Sequence, residues 1–208
     1  MATILDISPL ISARIAVWPG DVPFSRFVSC VMARGDNLDL SSITTTLHLG
    51  AHADAPSHYL REGSGMADVE LSPYIGPCQV VRVSLSRGER IMPHHIGKIL
   101  APRVLFRTDS FPDPNRFNED FNSLSPGLIE HLHGQGCVLV GLDTPSVDPY
   151  ESKALESHQA LAHAGMRNLE GLVLDQVEPG FYTLIALPLK IEGADASPVR
   201  AILMMDLG

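Results

Sequence analysis

Three histidines and an aspartate are concentrated in the short segment His48-Leu-Gly-Ala-His-Ala-Asp-Ala-Pro-Ser-His58. His48, His52 and Asp54 offer two imidazoles and a carboxylate, a donor set that binds zinc and leaves a coordination position open. A metal held in this way lowers the pKa of a bound water to about 7, which makes water a nucleophile able to attack an amide. The segment therefore predicts a metal-dependent amide hydrolase.

The spacing of these side chains favours an extended chain over a helix. Gly50 and Pro56 both oppose a helix, and the β-branched run that begins at Ile43 leads into the segment. Side chains two residues apart share a face on a strand. We therefore expect the three histidines and Asp54 to point the same way from a strand end and a tight loop, with Gly50 letting the backbone approach the metal. The alternative is a histidine-rich surface loop.

The composition indicates an ordinary folded domain without a nucleic-acid partner. The chain has 208 residues, of which 45% are hydrophobic, and its 24 acidic and 15 basic residues give a formal net charge of −9. Binding to a phosphate backbone needs clustered Lys and Arg, which are scattered singly here. No repeat or linker divides the sequence, so we expect one domain over residues 1–208.

The cysteines and the apolar runs indicate a cytoplasmic protein. Cys30, Cys78 and Cys137 are widely separated and include no CxxC pair, so we expect reduced thiols, buried for Cys78 and Cys137. The first residues lack a basic stretch and include Asp6, unlike a signal peptide. No apolar run approaches the roughly 20 residues of a membrane span, so no membrane association is expected.

The periodicity of the apolar residues predicts an α/β fold with a mixed sheet. The predicted strands are Ile43–Leu47, Val80–Leu85, Val104–Arg107, Cys137–Leu142, Leu172–Leu174, Phe181–Ile191 and Val199–Met205. The predicted helices are one from the Ser125-Pro126 cap to Gly134, one from Ser157 through His163 to a stop near Gly165, and a short one from Pro93 to Leu100. The strand order is left open.

The pattern H-x-G-x-H-x-D-x-P-x-H, from His48 to His58, resembles the signature of the cyclase-like metal-dependent hydrolases. The similarity extends over nearly the whole chain, although Ala51 stands where many members carry threonine. The other segments that resemble family blocks are Trp18–Asp21, Gly141–Pro149, Asn168–Gly171 and Asp195–Ala201. The resemblance implies a single compact α/β domain with mixed β-sheet layers and flanking helices, of the swivelling β/β/α type, and a homodimer.

The resemblance also implies two zinc ions per subunit. His48, His52 and Asp54 would bind the first zinc, with Asp54 bridging to the second. His158 would bind the second zinc, and Glu170 would bridge both. All these donors are nitrogen or carboxylate oxygen, which suits zinc and leaves Mn2+ and Fe2+ as alternatives.

The activity that the resemblance implies is hydrolysis of N-formyl-L-kynurenine to L-kynurenine and formate in tryptophan degradation. Hydroxide formed at the metal would attack the formyl carbon. His58 would act as general acid and base, because a histidine pKa lies near working pH. Trp18, the only tryptophan, would contact the aromatic small-molecule substrate.

Several residues have plainer interpretations when the resemblance is set aside. His158 resembles a solvated or capping histidine at a helix start, Glu170 an exposed turn carboxylate, and Trp18 a packing residue. We expect the remaining histidines to lie at the surface and give no role to two aspartates near Pro145. These residues are His94, His95, His131, His133 and His163, and Asp143 and Asp148.

Two other functions remain open at this point. The first is a hydrolase that uses the same metal segment to open a cyclic amide such as isatin. The second is a metal-binding protein without catalysis, although structural zinc sites are closed and usually use cysteine.

Overall fold

The structure, a computed structural model, describes residues 3–205. The strands are β1 (Thr3–Asp6), β2 (Ser25–Cys30), β3 (Leu40–Thr44), β4 (His52–Asp54), β5 (Ile75–Arg82), β6 (Arg90–Ile91), β7 (Arg103–Arg107), β8 (Ser123–Leu124), β9 (Leu139–Leu142), β10 (Arg167–Glu170), β11 (Gly180–Ile185), β12 (Ala196–Pro198) and β13 (Ile202–Met205). The helices are α1 (Pro126–Gly134) and α2 (Glu156–Ala164). Neither these helices nor any other in residues 3–205 has the length and apolar character needed to cross a bilayer.

A nine-stranded mixed sheet organises the fold, in the order β1-β13-β11-β5-β7-β9-β10-β4-β12. Its centre, from β5 through β7 and β9 to β10, is parallel, whereas the outer strands pair antiparallel. Two small additions lie outside this sheet: a parallel pair, β6 with β8, and an antiparallel ribbon, β2 with β3. The prediction of an α/β fold with a mixed sheet is confirmed.

Apolar side chains on alternate positions of the central strands build one core on each face of the sheet. Val104 and Phe106 of β7 face one core, which contains Leu128 of α1 and Leu161 of α2. Leu105, between them in sequence, faces the other core. Central parallel strands are buried on both faces, which is why the middle of β7 and all of β9 are apolar without interruption.

Both long helix predictions are confirmed. At the start of α1, the Ser125 hydroxyl accepts the N–H of Leu128 at 3.1 Å, and Pro126 occupies the first turn. Helix α2 ends at Gly165, whose φ of 62° a glycine adopts without a Cβ penalty.

The predicted helix from Pro93 to Leu100 is wrong. The chain forms only one 3-10 turn, Pro93–His95, and Ile96 is already extended. Gly97 follows directly, so too few helix-forming residues remain for a helix to propagate beyond its costly first turn.

Two strand predictions are wrong in ways that concern the site. The strand expected over Ile43–Leu47 is β3, Leu40–Thr44, which belongs to the separate ribbon and does not lead directly into the histidines. The run Leu172–Leu174 is not a strand, although Leu172 and Leu174 are buried: Leu172 donates its N–H to the Leu142 carbonyl, and Val173 donates to that of Ile7. Here an apolar run marks a buried connection between strands.

Other strands differ from the predictions at their ends. The run predicted from Phe181 to Ile191 ends as β11 at Ile185, before Pro188, which lacks an N–H to donate. The strand predicted from Val199 begins only at Ile202, and the one predicted from Cys137 begins at Leu139. The prediction of buried thiols at Cys78 and Cys137 is confirmed.

Candidate metal centre

Strand pairing places the first candidate ligands opposite one another. Strand β4 lies between β10 and β12, and its register puts His52 directly opposite Glu170. Directly opposite residues project from the same face of a sheet, and Asp54 shares that face because it lies two residues after His52. All three side chains are buried.

The chain around His48 is held by close backbone contacts. Gly50 has a φ of 56°, and a Cβ there would lie 2.8 Å from the Pro9 ring. A Cβ on Gly171, which ends β10, would collide with the Gly50 carbonyl. The Gly50 carbonyl also lies 2.8 Å from His52 Nδ1. The absence of a side chain thus permits close packing of Gly50 against Pro9 and of Gly171 against the Gly50 carbonyl, whereas a close approach of the Gly50 backbone to a metal stays a prediction.

The structure brings the five candidate ligands together. His48 Nδ1 lies 3.1 Å from Asp54 Oδ1, and His52 Nε2 lies 3.4 Å from Glu170 Oε2. His158, from α2, places its Nε2 3.3 Å from Asp54 Oδ2 and 3.5 Å from Glu170 Oε1. His158 and Glu170 are both buried, so neither the solvated histidine nor the exposed turn carboxylate describes them.

Two sets of possible ligand atoms share Asp54. One set is His52, Asp54 and Glu170, and the other is His48, Asp54 and His58, each with its atoms within 4.8 Å of one another. Two sets that meet at one carboxylate are the arrangement expected of a bridging ligand. The second set also includes His58, so geometry alone is compatible with His58 as a ligand.

Unsatisfied buried atoms show that the cluster suits a cation. Asp54 Oδ1 and His52 Nε2 are buried, and among residues 3–205 neither has a partner with full hydrogen-bond geometry, although Asp54 Oδ1 lies 3.1 Å from His48 Nδ1 and 3.6 Å from His52 Nε2. A buried polar atom without a partner costs about 1–3 kcal/mol. A metal ion between a carboxylate oxygen and an imidazole nitrogen would satisfy both, so the residues present fit a bound metal.

The pKa shifts within the cluster also indicate that it favours positive charge beside its carboxylates. Burial would lower the pKa of His48, but its contacts with Asp54 outweigh burial and raise the pKa to about 9. Burial would raise the pKa of Asp54, yet hydrogen bonds with His158 and His48 hold that pKa well below its usual value. Protonated histidines thus balance a buried carboxylate here, and a divalent cation would replace those protons.

Asp148 and Asn168 support the cluster, and sequence reasoning gave neither a role. Asp148 Oδ2 lies 2.8 Å from His158 Nδ1 and also accepts the backbone N–H of that residue. The Asn168 amide donates to Asp54 at 2.6 Å and to Glu170 at 3.1 Å. Asn168 lies two residues before Glu170 on a strand, so the period of two could have indicated it. No local pattern links Asp148 to His158.

His58 lies at the mouth of the cluster on the 3-10 turn Pro56–His58, which follows β4. The expected strand end and tight loop are both present, and all four side chains of the segment reach the cluster, although His58 does so from a turn that begins at Pro56. The His58 ring centre is 4.3 Å from that of His48, and burial lowers the pKa of His58. A partly exposed imidazole beside the candidate ligands can reach a substrate in the cavity.

A cavity of about 790 Å³ opens over the cluster. His48, His52, His58, His158 and Glu170 line one end, and Trp18, Phe111 and Phe117 form an aromatic wall. The Trp18 ring centre lies 5.1 Å from that of Tyr150 and 5.4 Å from that of Phe117. The volume is that of a small-molecule site.

The other histidines do not join the cluster. His94, His131, His133 and His163 are exposed, as predicted, whereas His95 is partly buried. His95 Nδ1 accepts the N–H of Met92 at 3.0 Å, so the side chain of His95 holds its own turn. Asp143 binds the backbone and hydroxyl of Thr108.

Similar proteins combine this fold with hydrolase activity. The chain is 47% identical over 210 residues to the kynurenine formamidase of Sphingopyxis alaskensis and 44% identical over 206 residues to that of Bordetella petrii, with 98% of both chains covered in each case. A predicted metal-dependent hydrolase from Bacillus stearothermophilus is 25% identical and superposes with a TM-score of 0.82 over 98% of each chain. Isatin hydrolase A from Ralstonia solanacearum shares the fold, with a TM-score of 0.84, 23% identity, and coverage of 99% of this chain and 92% of that one.

The fold and the buried histidine-carboxylate cluster define a metal-dependent hydrolase that acts on a small molecule. Membership of this class excludes the alternative of a metal-binding protein without catalysis. The Cyclase family model matches residues 5–149, which is more than half of the sequence. The chain belongs to the Cyclase family.

Proposed function

We propose that this protein is a zinc enzyme that hydrolyses N-formyl-L-kynurenine to L-kynurenine and formate in tryptophan degradation. The observation that carries the proposal is the buried cluster of five candidate ligands at one end of an aromatic-walled cavity. The relatives named kynurenine formamidases support the choice of substrate.

Five side chains would hold two zinc ions in the proposal: His48, His52, Asp54, His158 and Glu170. A bound zinc lowers the pKa of water and polarises a carbonyl oxygen. Asp54 and Glu170 would each be shared between the two sites, because Asp54 contacts three of the histidines and Glu170 contacts two. Asn168 holds the two carboxylates in place by donating to both.

His58 would move the proton that the leaving group needs. An anilide anion is a poor leaving group, so the arylamine nitrogen must be protonated as the carbon-nitrogen bond breaks. His58 lines the cavity beside His48, and burial lowers its pKa, which favours the neutral imidazole that can accept a proton. It would accept a proton from water and deliver it to the nitrogen.

The experiment that tests this function compares two substrates. Zinc-loaded protein is incubated with N-formylkynurenine and, separately, with isatin. We expect rapid formation of kynurenine and little opening of isatin. The opposite preference would replace the proposal with the second candidate function, cyclic-amide hydrolysis, which the shared fold of isatin hydrolases favours.

Trp18 would stack on the aryl ring of the substrate. We expect Trp18→Ala to raise KM about tenfold with a smaller change in kcat, since an aromatic contact contributes about 0.5–1.5 kcal/mol beyond buried area. Steady-state kinetics measure both constants. Tyr150→Phe, which keeps the ring that packs on Trp18, is the matched control and should retain KM. An unchanged KM in Trp18→Ala would mean that Trp18 only packs.

A homodimer is part of the proposal, and the ribbon of β2 and β3 supports it. Every ribbon residue but Cys30 is exposed, and Phe27 and Ile43 are 69% and 63% accessible. The register pairs Phe27 with Ser42 and Arg26 with Ile43, so both faces of the ribbon carry apolar side chains. A two-stranded ribbon is marginally stable alone, and a second copy of the chain would cover these faces.

We expect Phe27→Glu to convert the dimer to monomer at micromolar concentration, because it places a charge in the covered apolar surface. Light scattering coupled to gel filtration gives the mass. The control is Phe181→Glu, which changes an equally exposed phenylalanine on the main sheet. A wild-type monomer, or an unchanged mass in Phe27→Glu, would contradict this arrangement.

A single domain over residues 1–208 and a cytoplasmic location complete the proposal.

A further inference from the structure

Asp195 lies beside the metal centre, immediately before β12. Its carbonyl accepts the N–H of Ala55 at 2.8 Å, and the register of β12 with β4 places Ala196 opposite Asp54. The backbone of Asp195 is therefore attached to the strand that carries the shared candidate ligand. The side chain of Asp195 lines the cavity.

The carboxylate of Asp195 faces two histidines. Its Oδ2 lies 3.1 Å from His48 Nε2 and 3.7 Å from His58 Nδ1. The other nitrogen of His48, Nδ1, faces Asp54 at 3.1 Å. One carboxylate oxygen is thus adjacent to both a candidate metal ligand and the candidate acid-base group.

We propose that Asp195 is a positioning residue that orients His48 toward the metal and His58 toward the substrate; this rests on the proposed function. An ionised carboxylate only accepts hydrogen bonds, so the His48 nitrogen that faces it carries the hydrogen. When a metal replaces the proton on His48 Nδ1, this arrangement would leave the Nδ1 lone pair directed at the metal, which is what the outer hydrogen-bond partners of metal-bound histidines commonly do. For His58, a hydrogen on Nδ1 directed at Asp195 leaves Nε2 free for the cavity.

In the part of the chain that the structure describes, the side-chain contacts of the Asp195 carboxylate are confined to the two histidines of the site. Its side chain is 49% exposed, and among residues 3–205 the two histidines are the only basic side chains that pair with it. Asp148, by contrast, is buried and accepts the N–H groups of Ser157 and His158 at the start of α2. Removing the charge of Asp195 should therefore leave the fold intact.

The first measurement is the zinc affinity of the zinc-free protein, by competition with a chromophoric chelator. We expect Asp195→Asn to weaken zinc binding at least tenfold, since loss of an outer partner of a metal-bound histidine typically costs 10–100-fold. The unfolding temperature of the zinc-free variant should equal that of the wild type. The matched control is Asp6→Asn, which changes an exposed aspartate of β1 that pairs with Arg200.

The second measurement isolates the effect on His58. At saturating zinc, Asp195→Asn should lower kcat for N-formylkynurenine at least tenfold with a smaller change in KM. In the His58→Ala background the same substitution should lower kcat by less than about twofold, because residues that act through one another are not additive. Asp195→Glu, which keeps the charge, should restore part of both zinc affinity and kcat.

Wild-type zinc affinity together with wild-type kcat in Asp195→Asn would overturn the proposal. If the effects of Asp195→Asn and His58→Ala on kcat were fully additive, Asp195 would not act through His58. That result would overturn the part of the proposal that concerns His58. A less stable zinc-free variant with unchanged zinc affinity would show a structural role and overturn it as well. If Asp195→Asn does not fold, Asp195→Ala, which also removes the carboxylate, provides the same test, and unchanged affinity and kcat there overturn the proposal. The zinc measurement needs no turnover, so an inactive wild type would refute the formamidase function separately.

Discussion

Removing the metal with a chelator should lower hydrolysis of N-formylkynurenine by more than about 10³-fold, and added zinc should restore it. The loss corresponds to the several kcal/mol that a catalytic metal contributes. Asp54 and Glu170 are both buried, and Glu170 keeps a lowered pKa although burial and the nearby Asp54 charge oppose its ionisation. These carboxylates are arranged for a cation.

The same treatment should lower the unfolding temperature by roughly 10 °C. A ligand at about 1,000 times its Kd stabilises the folded state by about 4 kcal/mol, and a chain of this size shifts by about 2–4 °C per kcal/mol. Kynurenine absorbance reports activity, and calorimetry reports unfolding. Asp54→Asn should behave like the chelated protein even with excess zinc, whereas Asp6→Asn should behave like the wild type. Full activity in protein proven free of metal would refute the metal mechanism.

His58→Ala should retain zinc and lose about 10²–10⁴-fold in kcat, the range typical of acid-base catalysis. The other histidines that line the cavity within residues 3–205 are His48, His52 and His158, which are all candidate metal ligands and so cannot replace His58. Zinc content by elemental analysis and kcat by kynurenine absorbance test the two halves of this expectation. His94→Ala, which removes an exposed histidine outside the lining of the cavity, is the control and should change neither quantity.

The zinc content of His58→Ala distinguishes two roles for His58, metal ligand and acid-base group, because the geometry is compatible with both. The ligand atoms of His58, His48 and Asp54 lie within 4.8 Å of one another, so a metal could take His58 as a ligand. Parallel loss of zinc and activity would assign His58 to the metal. Normal turnover by the zinc-loaded variant would show that His58 is neither a required metal ligand nor the acid-base group.

Local sequence was sufficient for the chemistry of the first segment and for the most regular elements. The period of two placed His52 and Asp54 on one face, and the structure has both on β4. The cap at Ser125 and the stop at Gly165 predicted α1 and α2, because capping depends on neighbours within one turn. The apolar β7 was predictable because burial on both faces requires an uninterrupted apolar run.

Local sequence failed where tertiary contacts override propensity. The apolar run Leu172–Leu174 resembles a strand, but Gly171, at a φ of 64°, turns the chain away from β10. The β-branched residues near Ile43 form a ribbon outside the main sheet. In each case burial or pairing with a distant segment decided the conformation, and neither is encoded in a short window.

The sequence by itself determined the kind of chemistry: nitrogen and carboxylate donors at a fixed spacing around His52, with an additional histidine four residues beyond Asp54. Only the tertiary structure decided which distant side chains complete the site. His158 meets Asp54 across 104 positions of sequence, Asn168 across 114, and Asp195 meets His48 across 147. The physical reason is that a metal site depends on distances of a few ångströms, which only the register of β4 between β10 and β12 and the packing of α2 establish.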